Sequence, residues 1–243
     1  MKNIEKLRNQ IDKIDNQILN LLKNRSKLSL EIGILKKGKP GSENLFRPER
    51  QVKILSRLFL KKNNLIKEDD IFTFWRDIFF HQTRLQGKLT FLTSKFITKK
   101  EKKTFYDSFG YGSDLLIYKD LKKAFSLVKK NKNTLLILPF PGKGKKNDWW
   151  IEKKFKDIFI VASLPFTAYL SANSKLLVLS KYKPILKGNC SYIYISTCEI
   201  NNDSFKKIIN LRGSYLYTSN TLFKNRDLKM LGAIPHIDNI YEN

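Results

Sequence analysis

Between residues 4 and 37 the chain reads IEKLRNQIDKIDNQILNLLKNRSKLSLEIGILKK. Apolar residues recur at Ile4, Leu7, Ile11, Ile14, Ile18 and Leu21, then at Leu28, Ile32 and Leu35. Steps of three and four place them along one side of a single long helix, and a heptad seam of that length needs cover from water. The rhythm demands one more apolar residue between Leu21 and Leu28, and Arg25 stands there. A buried guanidinium is costly unless its donors are met, so Arg25 is either a register device or a binding group. Lys36 follows on nearly the same side of the helix, rotated by about 20° and displaced by about 16 Å along the axis. Two long cationic side chains leaning across that span can hold a small dianion between them. Arg8 lies about 25 Å away along the same helix and is rotated by about 100°, beyond reach of that ligand. If it serves a comparable ligand, the ligand belongs to another copy of the chain, which points to a dimer with shared sites.

Two more helices are expected before residue 88. The second begins in RPERQVKILSRLFLKK, with Pro48 in the first turn, where its missing N–H costs nothing, and with Val52, Leu55, Leu58 and Phe59 as the buried face. Arg47 and Arg50 stand near its start, where a cation opposes the helix dipole and calls for something negative. The third covers about 68 to 86, EDDIFTFWRDIFFHQTRLQ, with acidic residues in its first turn and Ile71, Phe74, Trp75, Ile78, Gln82 and Leu85 on one face. Gln82 and Gln86, one helical turn apart, lie on its apolar side, where neutral amides can orient a polar ligand atom. After Gly87 the pattern turns to short β-rich runs: KLTFLTS, DLLIYK, NTLLILPF, DIFIVASLPF, KLLVLSKY and CSYIYIST. Helix-like KDLKKAFSLVKKN and NDSFKKIINL interrupt them, so 88–243 is expected to be an α/β domain following an all-helical domain at 1–87.

Composition narrows the function classes. The net charge of +25 invites a polyanion reading, yet 38 Lys against nine Arg, spread over nearly every segment, describe a solvated basic surface rather than a built patch. Neither a nucleic acid nor a membrane is expected as a partner. Two cysteines, Cys190 and Cys198, cannot form a disulfide framework or a four-ligand zinc site. His81 and His236 stand far apart, and no metal and no cofactor is expected. The N-terminus lacks an apolar leader core and no run approaches a membrane span, so the expected location is the cytoplasm.

The run L-R-x-x-I-D-x-I-D over residues 7–15, then L-L-x-x-R ending at Arg25, then G-x-x-K ending at Lys36, followed by RPERQ and WRDIFFHQTRLQ, resembles the all-helical chorismate mutases. These include the mutase domain fused to prephenate dehydratase in bifunctional enzymes. The resemblance covers about residues 3 to 87. It implies a dimeric three-helix bundle that rearranges chorismate to prephenate by a Claisen-type pericyclic step in aromatic amino acid biosynthesis. Carried over position by position, it makes Arg25 a clamp on a substrate carboxylate and Arg8 the arginine that crosses to the partner subunit's site. Lys36 and Gln86 contact the ether oxygen, and Arg50 is the site arginine of the second helix. Gln51 stands where the family usually has a glutamate that binds the ring hydroxyl; an amide oxygen can still accept that hydrogen bond. Gln82 falls at a position that is small in some relatives. For the second half, TLLILPFPGKGKKNDWW resembles the dehydratase domain, a two-lobed periplasmic-binding-like fold, but the Thr-Arg-Phe motif of dehydratases is missing and the corresponding region reads CSYIYISTCEINN. A dehydratase-like domain without dehydratase activity is therefore expected. Two alternatives stand beside a monofunctional mutase: a bifunctional mutase and dehydratase, and a basic helical nucleic-acid-binding module in which Arg25 only sets register.

Overall fold

The computed structural model describes residues 3–37, 43–144, 147–151, 157–166, 175–186, 188–224 and 228–237. Three helices come first: α1 (Ile4–Lys37), α2 (Pro48–Phe59) and α3 (Glu68–Gln86). Pro48 opens α2 as expected, and Asp70 accepts from the backbone N–H of Lys67 to cap the start of α3 at 2.9 Å. Leu55 and Phe59 of α2 meet Ile71 and Phe79 of α3 in a small core with Leu58 partly buried against it, and Val52 is buried as well. The face of α3 differs from the expected one. Ile71, Phe79 and Gln82 are buried, whereas Phe74 is 55% exposed, because α3 turns one flank to α1 and another to α2.

The first half of α1 behaves differently again. Every residue from 3 to 21 is exposed, and the apolar seam expected to be covered is bare in the single chain, from Ile4 at 67% exposure to Leu35 at 68%. What α1 does bury is a ridge of small residues, Ser29 and Gly33, set against α3.

Among the described residues the second half is one mixed sheet of nine strands flanked by α4 (Lys99–Phe109) and α5 (Leu121–Lys130). The strands are β1 (Thr90–Ser94), β2 (Leu115–Tyr118), β3 (Thr134–Pro139), β4 (Phe159–Leu164), β5 (Leu176–Ser180), β6 (Cys190–Ser196), β7 (Lys206–Leu211), β8 (Ser214–Ser219) and β9 (Lys229–Pro235). Their order is β2-β1-β3-β5-β4-β9-β6-β8-β7. Parallel β1, β2 and β3 are joined through α4 and α5, which cover opposite faces as two successive right-handed crossovers require. Period-two alternation sorts the core accordingly: Leu92, Leu136 and Leu138 pack with Ala124, Phe125 and Val128 of α5, while Phe91, Leu135 and Ile137 pack with Phe105 and Phe109 of α4. Trp149 and Trp150 both pack into the α5 face, and the Trp149 indole N–H donates to the Pro139 carbonyl at 2.8 Å.

The run NDSFKKIINL, expected to be helical, is instead a turn followed by edge strand β7. A bulge between Lys207 and Ile209 leaves neighbouring Ile208 and Ile209 both half-buried, which imitates a helical spacing in the sequence. The strands β9-β6-β8-β7 join the other five through a single register pair, Ile160 of β4 with Gly232 of β9.

The helical half docks on the α4 face of the sheet. Phe46, from the α1–α2 connection, sits 5.6 Å from the Phe109 ring and 6.1 Å from the Phe166 ring. The Arg76 guanidinium of α3 donates to the Asp107 carbonyl of α4 at 3.0 Å.

His236 follows β9 with its backbone N–H donating to the Asn189 carbonyl at 2.9 Å and its Nε2 2.6 Å from the Ser191 hydroxyl. Burial pushes its pKa down to about 4. Such a histidine is neutral in the folded chain and takes up a proton on unfolding anywhere between about 4 and the ordinary histidine value of about 6.5. Its contribution to stability is thus complete above that window and is lost as the pH falls through it, by about 3 kcal/mol in total. Urea midpoints at pH 7 and pH 4.5 are expected to converge in His236→Gln relative to the unsubstituted protein.

Candidate functional site

The site lies where the C-terminal half of α1 crosses α3. Gly33 makes the crossing close: a Cβ there would stand 3.0 Å from the Gln86 Cα and 3.3 Å from its Cγ. That approach brings the last turn of α1 alongside the last turn of α3, and the Lys36 ammonium donates to Gln86 Oε1 at 3.0 Å. The ammonium also donates to the Asn44 carbonyl at 3.3 Å. A lysine has no acceptor, so Gln86 must turn its oxygen to Lys36 and its Nε2 donors away. One contact thereby fixes which end of the amide is offered to a ligand.

Arg25 lies two to three turns earlier on α1. Its Cζ is 6.0 Å from the centre of the Phe79 ring, and Nη1 is buried with no acceptor among the described residues. Burial lowers its pKa, and the positive charge of Arg50 lowers it further. Lys36 is likewise pulled down, by burial first and then by Arg47, with Glu49 acting against both. Arg47 pairs with Glu49, which answers the expectation that a cation at the start of α2 needs a negative neighbour. Cations crowded into a partly dry place, one with a donor unmet, favour a negatively charged ligand.

Gln82 is buried, and its Nε2 donates to the Ser26 hydroxyl at 3.0 Å while its Oε1 finds no partner among the described residues. Ser26 in turn donates to the Leu22 carbonyl at 2.8 Å.

Arg25, Lys36, Gln82 and Gln86 therefore share the α1–α3 crossing, with Arg50 near enough to Arg25 to depress its pKa. The other two candidate residues lie elsewhere. Gln51 borders a small cavity between α2, α3 and α4, together with Arg76, Phe79 and Thr83. Arg8 is exposed on the bare half of α1. Sequence reasoning did not single out Ser26, Asn44 or Glu49. Asn44 acts through a main-chain carbonyl, which leaves no trace in residue type. Ser26 sits beside Arg25 on the small-residue ridge and is recognisable only once α3 is in place.

Among the described residues no group of three or more His, Cys, Asp or Glu could hold a metal ion. No helix among them is long and apolar enough to cross a membrane. Cys190 is buried and Cys198 exposed.

The α1–α3 crossing thus gathers two partly buried cations, Arg25 and Lys36, and two amides, Gln82 and Gln86, whose orientations are set by Ser26 and Lys36. Residues 7–87 match the sequence profile of the chorismate mutase type II family. The match spans the three helices and every one of the seven candidate site residues, and it ends where the sheet begins. No curated protein matches the chain. Among solved structures, one titled "GqqA- a novel type of quorum quenching acylases" has a TM-score of 0.42 and 10% identity over 61% of this chain and 96% of that one. Similarity at that level carries no argument about fold or function. The bifunctional alternative gains nothing from the comparisons, since the match stops at residue 87.

Proposed function

We propose that the helical half is a chorismate mutase that converts chorismate to prephenate within aromatic amino acid biosynthesis. The observation that carries this reading is the buried, unmet Nη1 of Arg25, set beside Arg50 inside a region matching the chorismate mutase type II family. The reaction breaks the ether C–O bond and forms a C–C bond within one molecule, and it needs no nucleophile, metal or proton transfer. A protein can accelerate it in two ways. Arginines pair with the two carboxylates and hold the flexible dianion in its compact conformer. Donors already aimed at the ether oxygen meet the negative charge that gathers there in the transition state.

Arg25 and Arg50 take the first role; Lys36 and the outward Nε2 of Gln86 take the second. Gln82 borders the same crossing, and Gln51 is assigned to the ring hydroxyl. Arg8 is assigned to the site of a second copy, and the exposed Ile and Leu seam of α1 is the surface through which that copy would pair. The bare seam supports a homodimer because about 25 Å of helix separates Arg8 from Arg25 in one chain. The domain division at residue 87 follows the change from α3 to β1, and the sheet half is read as a dehydratase-like domain without dehydratase activity. A nucleic-acid module is the weaker reading, since Arg25 turns inward against Phe79 rather than out to solvent.

The test is loss of chorismate absorbance on addition of the purified full chain, with prephenate identified as the product and phenylpyruvate assayed alongside. Prephenate without phenylpyruvate is the expected result. No chorismate loss above the uncatalysed rate would refute the reading, and enzymatic phenylpyruvate would refute the assignment of the sheet half.

A further inference from the structure

Asn133 sits in the turn between α5 and β3, within the sheet half, yet its hydrogen bonds lead to the mutase-like site. Its side-chain Oδ1 accepts from the Leu45 backbone N–H at 2.9 Å. Its own carbonyl accepts from the Thr90 N–H at 3.1 Å. Leu45 directly follows Asn44, whose carbonyl holds the Lys36 ammonium. Thr90 starts the strand that follows α3, a few residues past Gln86. One residue thus ties together the two connections that leave the site, α1–α2 on the Lys36 side and α3–β1 on the Gln86 side. Leu45 also fills the space over Gly87, where a Cβ would come within 2.9 Å of its Cδ1.

The backbone of Asn133 is suited to this. Its φ of 60° is left-handed, a conformation that Asn and Asp tolerate better than other side chains with a Cβ. Two further contacts reach the same connection. Phe46 enters the aromatic cluster on the α4 face, and Lys132 pairs with Glu43. The ion pair is more than half exposed on its lysine side and, like most surface pairs, fixes little. The Phe46 ring anchors the connection but leaves the direction of the Asn44 carbonyl open. The hydrogen bond to Leu45 N–H constrains that direction, because the Asn44 carbonyl and the Leu45 N–H belong to the same planar peptide unit.

We propose that Asn133 is a positioning residue for the site: by gripping the peptide between Asn44 and Leu45, the sheet half sets the carbonyl that aims Lys36 at Gln86 and at the substrate. The inference rests on the chorismate mutase reading given above. It makes the sheet half part of the catalytic apparatus, acting by geometry rather than chemistry. Losing an orienting contact of this kind affects the transition state more than substrate binding, so the loss falls on kcat.

Two substitutions in the full chain separate the side-chain acceptor from the turn. Asn133→Gly keeps the left-handed backbone but removes the acceptor; Asn133→Asp keeps both. The expected result is a roughly tenfold lower kcat for Asn133→Gly with KM changed by less than about twofold, and near-normal kinetics for Asn133→Asp. Backbone hydrogen exchange at Leu45 should speed up in the glycine variant alone. An unchanged kcat in Asn133→Gly, with the unsubstituted chain active, would overturn the inference and leave the mutase reading intact. Equal losses in both variants would also overturn it, because the acceptor would then be irrelevant. An unsubstituted chain that does not consume chorismate would refute the mutase reading and this inference with it.

Discussion

Lys36→Ala is expected to lower the turnover of chorismate by about a hundredfold or more while the helical half stays folded. The substitution removes one donor outright and disorganises a second. Without the ammonium at Oε1, no other contact among the described residues holds the Gln86 amide in the orientation that offers Nε2, so both groups proposed to act on the ether oxygen are affected. The fold should tolerate the change. Burial and the charge of Arg47 already disfavour the Lys36 ammonium, so removing it relieves a charged group held in a partly dry place. Steady-state kinetics beside a circular dichroism melt will separate the two effects. A turnover number close to that of the unsubstituted chain would remove Lys36 from the mechanism. The same lowered pKa predicts an alkaline limit: the protonated form is the useful donor, so kcat/KM should decline at a pH below the ordinary lysine value, and this limb should vanish in Lys36→Ala.

Gly232→Ala is expected to destabilise the sheet half by more than about 3 kcal/mol, or to prevent accumulation of soluble protein. A Cβ at this position would stand 2.0 Å from the Ile160 carbonyl oxygen, 2.6 Å from its nitrogen and 2.7 Å from its carbonyl carbon. All three are backbone atoms, so no rotamer change can make room; the strands themselves would have to part. They meet at the single register pair that joins the two portions of the sheet, and bulges in β4 and β9 lie beside it. Gly213→Ala is the proper comparison. Gly213 adopts a φ of 71° but a Cβ there meets nothing within 4 Å, so only backbone strain, about 1 kcal/mol, is at stake. Guanidinium unfolding of both variants measures the contrast, and equal midpoints would show that the β4–β9 junction can relax.

Much of the helical half was legible because its punctuation is chemical. Pro48 can only open a helix, Gly87 follows the last helical residue of α3, and the spacing of Val52, Leu55 and Phe59 admits one buried stripe. Arg25 and Lys36 stood out for the same reason, as cations that interrupt or adjoin an apolar rhythm. Where two partners compete for one helix, the reading fails. Phe74 was expected on the buried face of α3 because apolar residues surround that helix, and only the placement of α1 and α2 decides which of them are covered. In the sheet half, the first six strands announced themselves as apolar β-rich runs. α4 did not, since KKEKKTFYDSF is mostly charged and buries only Thr104, Phe105, Ser108 and Phe109. The β7 run reads as a helix because a bulge breaks its alternation. The contacts of Asn44 and Asn133 are made through main-chain groups or across 88 positions of sequence, and no local pattern encodes either.

The bare opening stretch of α1 has one more implication. About 27 Å of helix, residues 4 to 21, is exposed among the described residues, and an isolated helix of such length is only marginally stable in water. Its winding must therefore be borrowed from whatever surface it lies against. Under the proposed pairing of two copies, dilution should act on this segment as mild heating does elsewhere: helicity, protease resistance and the supply of Arg8 would rise and fall together with protein concentration, while the sheet remains indifferent.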